Sequence, residues 1–259
     1  MYLRRPGLLL ILMLTTGPAD ATGVLRYLGV ATDAGGRTAH LEEHLLQPTA
    51  DGGEQRVVLY RCPDGVPFAR KRLIRPADSF LPRFTLEDRR GGWREGIDAG
   101  AEGLLVFAGR LDQPAAPRRL PPPAPDLVAD AGFDAFIMAR RDALEAGQAL
   151  RFDFLLPGED RPRALKVRKL GEGETLGRPA SLYRLELGAW YRFLAPHVDG
   201  WYDRQTGRLL RYEGPSNLRQ PGGGNPKLRI DFPPAQRQAG AAATVLAEAL
   251  VVPLADSCG

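Results

Sequence analysis

Residues 40–44 read His-Leu-Glu-Glu-His. The H-x-x-E-H spacing suits zinc-dependent hydrolysis. Two histidines on one face of a helix hold the metal, a glutamate beside them acts as base, and a third ligand comes from elsewhere. "AHLEEHLL" contains good helix formers, but its surroundings favour a strand. It follows "VLRYLGVA" and the turn "TDAGG", and the three read together as a β-hairpin. On a strand, His40, Glu42 and His44 share one face at two-residue spacing. The third histidine, His197 in "LAPHVDG", brings no partner signature. His40, Glu42 and His44 are therefore weak metal candidates, and the expectation is a wet polar face.

Other chemistry has less support. No G-x-S-x-G occurs, and Ser216 in "GPSN" cannot be assigned to a triad with three histidines in the chain. The glycines 222–224 precede neither a helix start nor a Lys-Ser/Thr pair, so they form a loop and no phosphate cradle. No motif calls for a cofactor, and the balance leans away from an enzyme. Aromatics are more suggestive. "AWYRFL" and "GWYD" bring Trp190, Tyr191, Phe193, Trp201 and Tyr202 close in sequence. On a curved sheet such residues can line an apolar site; ordinary core packing is the competing reading.

The elements that must position these residues are mostly strands. Period-two alternation recurs between turn signals, in "RTAHLEEHLL", "QRVVLYR", "VPFARKRLI", "RFTLED", "LRFDFLL" and "KLRIDF". In "LRFDFLL", Leu150, Phe152, Phe154 and Leu156 share a side, and in "KLRIDF" so do Leu228, Ile230 and Phe232. Turns every 8–12 residues predict a mainly β fold. The expected form is one strongly curved antiparallel meander of about a dozen strands, an open half-barrel. One segment, 130–146, has helical periodicity, with Phe133, Phe136, Ile137 and Leu144 on one stripe. Asp130 is placed to cap it and Gly147 to stop it. An amphipathic helix among strands must lay that stripe on the sheet. A proline-rich linker, 114–125, precedes it, and the tail 233–259 could add a short helix.

Residues 1–21 have the basic start, apolar middle and A-x-A end of a secretory signal, with cleavage expected after Ala21 by the general secretory route. The remaining domain, 22–232 with its tail, has no further stretch that could span a bilayer. The destination is periplasmic or secreted. Lys and Arg number 35 against 31 Asp and Glu, and the charges are interspersed. That argues for a solvated surface and against a nucleic-acid footprint. Cys62 and Cys258 are the two cysteines. In an oxidising compartment they either pair across a very long loop or leave Cys258 a free thiol in a mobile tail.

The stretches "YRCPDGVPFARKRLI", "FTLEDRRGGWREG", "DAGFDAFI", "WYDRQTGRLLRYEGPSNLR" and "NPKLRIDF" together resemble a group of uncharacterised exported proteobacterial proteins. The resemblance spans roughly 24–232 and implies architecture and export, with no catalytic residue to transfer. The order of elements is also similar, at fold level, to periplasmic lipoprotein carriers, in which helices plug a half-barrel that shields acyl chains. That likeness implies a lipid or other apolar ligand in the concave face, contacted by Phe133, Phe136 and Ile137 and by Trp190 and Trp201. Two alternatives stand beside it: a metal-dependent hydrolase built on His40 and His44, and a structural or interaction module of the envelope.

Overall fold

A computed structural model describes residues 23–100, 102–187, 197–220 and 223–259. Its first hairpin joins β1 (Val24–Thr32) to β2 (Thr38–Pro48), followed by β3 (Glu54–Arg61), β4 (Pro67–Arg75), β5 (Arg83–Asp88), β6 (Trp93–Gly100), β7 (Gly103–Arg110) and β8 (Arg118–Leu120). Helices α1 (Gly132–Ala139) and α2 (Arg141–Glu145) come next. The second half holds β9 (Leu150–Phe154), β10 (Arg163–Thr175), β11 (Arg178–Leu187), β12 (Val198–Asp203), β13 (Leu209–Pro215) and β14 (Lys227–Asp231). The chain ends with β15 (Arg237–Ala241) and α3 (Ala243–Val251).

All fifteen described strands belong to one antiparallel, unclosed sheet. Its order is β8-β7-β6-β5-β4-β3-β2-β1-β14-β13-β12-β11-β10-β9, with β15 added against β1. This is the curved meander that the alternation predicts. The three expected hairpins form. "TDAGG" closes the first through Asp33, whose carboxylate accepts the N–H of Gly35 (2.9 Å) and of Arg37 (3.0 Å). Among the described residues no helix is long and apolar enough to cross a membrane.

The helical segment is shorter and differently capped than expected. It divides at Arg140 into α1 and α2, and Gly147, at φ +82°, stops it as predicted. Asp130 does not cap it. The N-cap is Ala131 with no side-chain bond, while Asp130 sits at φ +44° and turns its carboxylate to Lys71 on β4. A buried ammonium draws a carboxylate more strongly than a helix N–H does. Just before α1, Val128 bonds in parallel to the end of β9, so the 127–147 segment straps the interior of the half-barrel.

Alternation gives the sheet two faces. The face toward α1 carries Tyr27, His44, Val58, Lys71, Leu86 and Glu95 in one cross-strand row. The opposite face carries Val24, Leu45, Val57 and Leu59, which α3 covers with Leu246 and Ala249. Arg70 and Arg72, also on that face, close α3: Arg70 Nη1 donates to the carbonyls of Ala249 (3.2 Å) and Val252 (3.3 Å), Arg72 Nη2 to Leu250 (2.8 Å). Cations there satisfy the last carbonyls and meet the negative end of the helix dipole. Cys62 and Cys258 form a disulfide, with Cα atoms 5.5 Å apart, so the tail is fastened at both ends. Farther along the outer surface, Arg184 pairs with Asp199 and Arg211 with Asp231, both at 2.6 Å.

Candidate functional site: a polar row beneath the strap

The site is built by strand register. His44 stands opposite Tyr27 on β1 and Val58 on β3, and Val58 stands opposite Lys71 on β4. Arg56 and Tyr60 flank Val58 on the same face by two-residue spacing. These groups are far from wet: His40 is 1% exposed, Glu42 6%, His44 9%, Arg56 9% and Lys71 6%. The expectation of a solvated polar face on β2 is therefore overturned. The sheet curls this face inward, and the strap closes over it.

Glu42 lies between the two histidines. Its Oε1 is 3.3 Å from His40 Nε2 and its Oε2 3.1 Å from His44 Nε2, so each ring donates its Nε2–H to one carboxylate oxygen. Burial pushes the Glu42 carboxyl up, but the two imidazole donors outweigh it and hold the group well below the usual range. Burial lowers His44 below its ordinary value and keeps the ring neutral. Tyr27 stacks on it, with centroids 4.5 Å apart and planes at 11°. His40 meets Tyr60 and Phe68 edge-on, at 5.9 and 6.2 Å.

This arrangement lacks the geometry of an H-x-x-E-H zinc site. Glu43, which would be the base of H-x-x-E-H, points to the opposite face, where Arg26 and Arg61 hold it at 2.6 and 2.7 Å. The Glu42 carboxylate separates the rings that would have to converge on a metal. Among the described residues no group of three or more His, Cys, Asp and Glu side chains is arranged to hold one. Ser216 is buried, and its hydroxyl accepts the N–H of Leu218 (3.0 Å), a turn contact.

On the strap side, Lys71 Nζ donates to Asp130 Oδ2 at 2.6 Å. Burial alone would lower the Lys71 ammonium; the Asp130 carboxylate overrides it and raises it. Asp134 of α1 accepts the hydroxyl of Tyr202 (2.8 Å), and burial pushes its carboxyl up despite the nearby Arg56 charge. Glu95, holding the indole N–H of Trp93 (2.9 Å), is raised by burial as well. Three fully buried polar atoms near this row have no partner: His44 Nδ1, Arg56 Nε and Asp130 Oδ1.

The expected apolar contacts fall elsewhere. Phe136 (3% exposed) and Ile137 (1%) pack with Val128, Leu144, Phe152, Val167, Tyr183 and Tyr202, and the half-buried Phe133 joins them. Phe136 and Phe152 have centroids 4.5 Å apart. These side chains seal a core against β9–β12 and do not face an open concavity. Trp201 is on the wrong face: it alternates with Tyr202, which points to α1, and lies over Gly173 on the outside. Trp190 lies outside the described residues. Leu156, expected on the inner side of β9, is past the strand end and 42% exposed. Two surface depressions, of about 310 Å³ beside Leu127 and Phe152 and about 640 Å³ beside Arg141 and Arg178, include no residue of the inner row.

The strap depends on a close backbone approach. A Cβ on Gly132 would come within 1.8 Å of the Phe80 carbonyl oxygen. Gly132→Ala is expected to cost about 2–3 kcal/mol, because backbone cannot yield as a side-chain tip can. Urea unfolding of the two proteins measures this; equal midpoints would show that the strap can shift to make room.

Sequence reasoning missed Arg56, Lys71, Asp130 and Asp134. In "FARKRLI" both faces carry cations, Lys71 on one and Arg70 and Arg72 on the other, so polarity could not say which face is buried. The usable signal was Ala69 and Leu73 flanking Lys71 on its own face.

No protein-family model and no curated protein matches the chain. Solved structures do. The chain shares its fold with a β-barrel-like protein of domain of unknown function DUF1849 from Brucella abortus. The TM-score is 0.51 at 9% identity, over 81% of this chain and 95% of that one. Weaker matches are the MucA/MucB complex of Pseudomonas aeruginosa (TM-score 0.38, 17% identity, 88% of this chain and 56% of that one) and a putative outer membrane lipoprotein-sorting protein domain from Vibrio parahaemolyticus (TM-score 0.31, 8% identity, 89% and 92%). At these identities the DUF1849 match establishes the barrel-like fold, and the other two add no argument.

Proposed function

We propose that this is an exported envelope protein that binds a small amphipathic ligand between the strap and the inner face of β1–β4. The observation that carries the reading is an asymmetry in how α1 is held. Its apolar stripe packs on β9–β12, joined from the first half of the sheet by Phe80 of the β4–β5 connection, 5.4 Å from Phe136. Toward β1–β4 the strap offers polar groups, Asp130 to Lys71 and Asp134 within the field of Arg56. Leu127 and Ala129 of the strap also pack with Leu73, Phe84, Ile97, Leu104 and Val106 on β4–β7, so the strap is held by apolar contact at both flanks and by charged groups over the row between, where water can replace what is lost. The charged row disfavours a wholly apolar ligand and admits one with a polar head. The Cys62–Cys258 disulfide supports export, since such bonds persist in oxidising compartments.

Organic extraction of protein purified from the envelope, followed by mass spectrometry, tests the reading. A recurring amphiphile in near-stoichiometric amount is the expected result. Protein that yields none, and that leaves a fluorescent fatty-acid probe unbound, would overturn it. N-terminal sequencing of the same sample reads the cleavage site, expected after Ala21.

A further inference from the structure

The three partnerless atoms specify more than "polar". Arg56 Nε carries an N–H and can only donate. His44 has given its Nε2–H to Glu42, so its Nδ1 presents a lone pair. Asp130 has one oxygen on Lys71, and the other is an open acceptor. The set is one donor and two acceptors: on His44, which stands opposite Val58, on Arg56 beside it, and on Asp130, the partner of Lys71. His44 and Arg56 are each nine-tenths buried, so leaving these atoms unmet is costly. The surrounding charges are already matched: Arg56 Nη2 on Glu54 (2.7 Å), Lys71 on Asp130, and Glu42 between two imidazoles. An anionic head would bring acceptors to two acceptors. A cationic head would face Arg56 and Lys71. Adjacent hydroxyls carry the matching complement: an oxygen to accept from Arg56 and two O–H groups to donate to His44 Nδ1 and Asp130 Oδ1.

We propose that this row is a binding site for an uncharged polyol group, either free or as the glycerol head of an acyl lipid. The proposal rests on the amphipathic-ligand reading above and narrows its head group.

Titration calorimetry with 1-oleoylglycerol, oleate and free glycerol tests it on the full exported protein and on Asp130→Asn. The asparagine keeps a carbonyl for Lys71 and replaces the open acceptor with an N–H₂ donor. Expected are binding of 1-oleoylglycerol at least about ten-fold tighter than oleate, and a loss of about ten-fold or more in Asp130→Asn, the worth of one hydrogen bond to a charged group. Equal affinity for both amphiphiles, unchanged in Asp130→Asn, overturns the polyol site and leaves the amphiphile reading standing. Glycerol bound as tightly as 1-oleoylglycerol keeps the site and overturns the acyl lipid. No binding by any probe overturns both. Should Asp130→Asn fail to fold, His44→Phe keeps the stack on Tyr27, removes the other acceptor, and is expected to show the same loss.

Discussion

Glu42→Ala is expected to destabilise the protein by about 3–5 kcal/mol, the range for breaking a buried charge-assisted contact by removing one partner. Two buried imidazoles lose their acceptor at once, and two N–H groups are left without water or protein to receive them. Glu42→Gln is expected to lose roughly half as much, because an amide oxygen accepts from one ring while its N–H₂ faces the other. Urea unfolding at neutral pH measures both; a Glu42→Ala midpoint equal to wild type would mean the cluster contributes nothing net.

The same cluster sets an acid limit. His44 titrates lower in the folded protein than in the unfolded chain, so below its ordinary value, near ~6.5, the unfolded chain takes up protons the folded one refuses. Stability falls as pH drops from there toward the folded value. Glu42 is also depressed in the folded state. Its contribution is complete above the ordinary glutamate value, near ~4.3, and is lost as pH falls from there toward its folded value. Both terms act in one direction, so stability declines on acidification in two stages, and Glu42→Ala removes the lower one.

Reduction of the Cys62–Cys258 disulfide is expected to cost about 3–5 kcal/mol, since it closes a loop with a sequence separation of 196. For a chain of this size that is a fall of roughly 10 °C in the thermal midpoint. The effect concentrates in the tail. The bond anchors the segment that lays α3 on Val24, Leu45, Val57 and Leu59. Without it, apolar contact, the β15 pairing, the Arg70 and Arg72 bonds and the Ala255 N–H to the Pro67 carbonyl (2.9 Å) hold that cover in place. Thermal unfolding with and without a dithiol, with free thiols counted, measures this; fully reduced protein melting where the oxidised form does would show the staple to be idle. Proteolysis of reduced protein is expected to begin within 233–259.

Much of the fold was legible because strand alternation is local. The hairpins at 24–48, 54–75 and 83–100 each carry their own turn chemistry. In the first, Asp33 organises the turn from its own side chain. The helix at 130–146 was legible from its stripe, but its start was not. Asp130 had two uses, as a cap or as a partner for Lys71, and the second lies 59 residues away in the chain. Trp201 was misplaced for a related reason: in "GWYD" both neighbouring aromatics look alike, and only the position of α1 shows that Tyr202 is the inner one.

The motif at His40–His44 divides along the same line. By itself, the sequence determined that His40, Glu42 and His44 share one face of a strand and that Glu43 points the other way, because the period of two is local and strict. It also left one cysteine pair available. Only the tertiary structure decided that the histidine face is the buried one, because burial depends on which way the whole sheet curls and on a strap more than eighty residues downstream. It likewise decided that Cys62 meets Cys258, since no local rule brings together residues 196 apart.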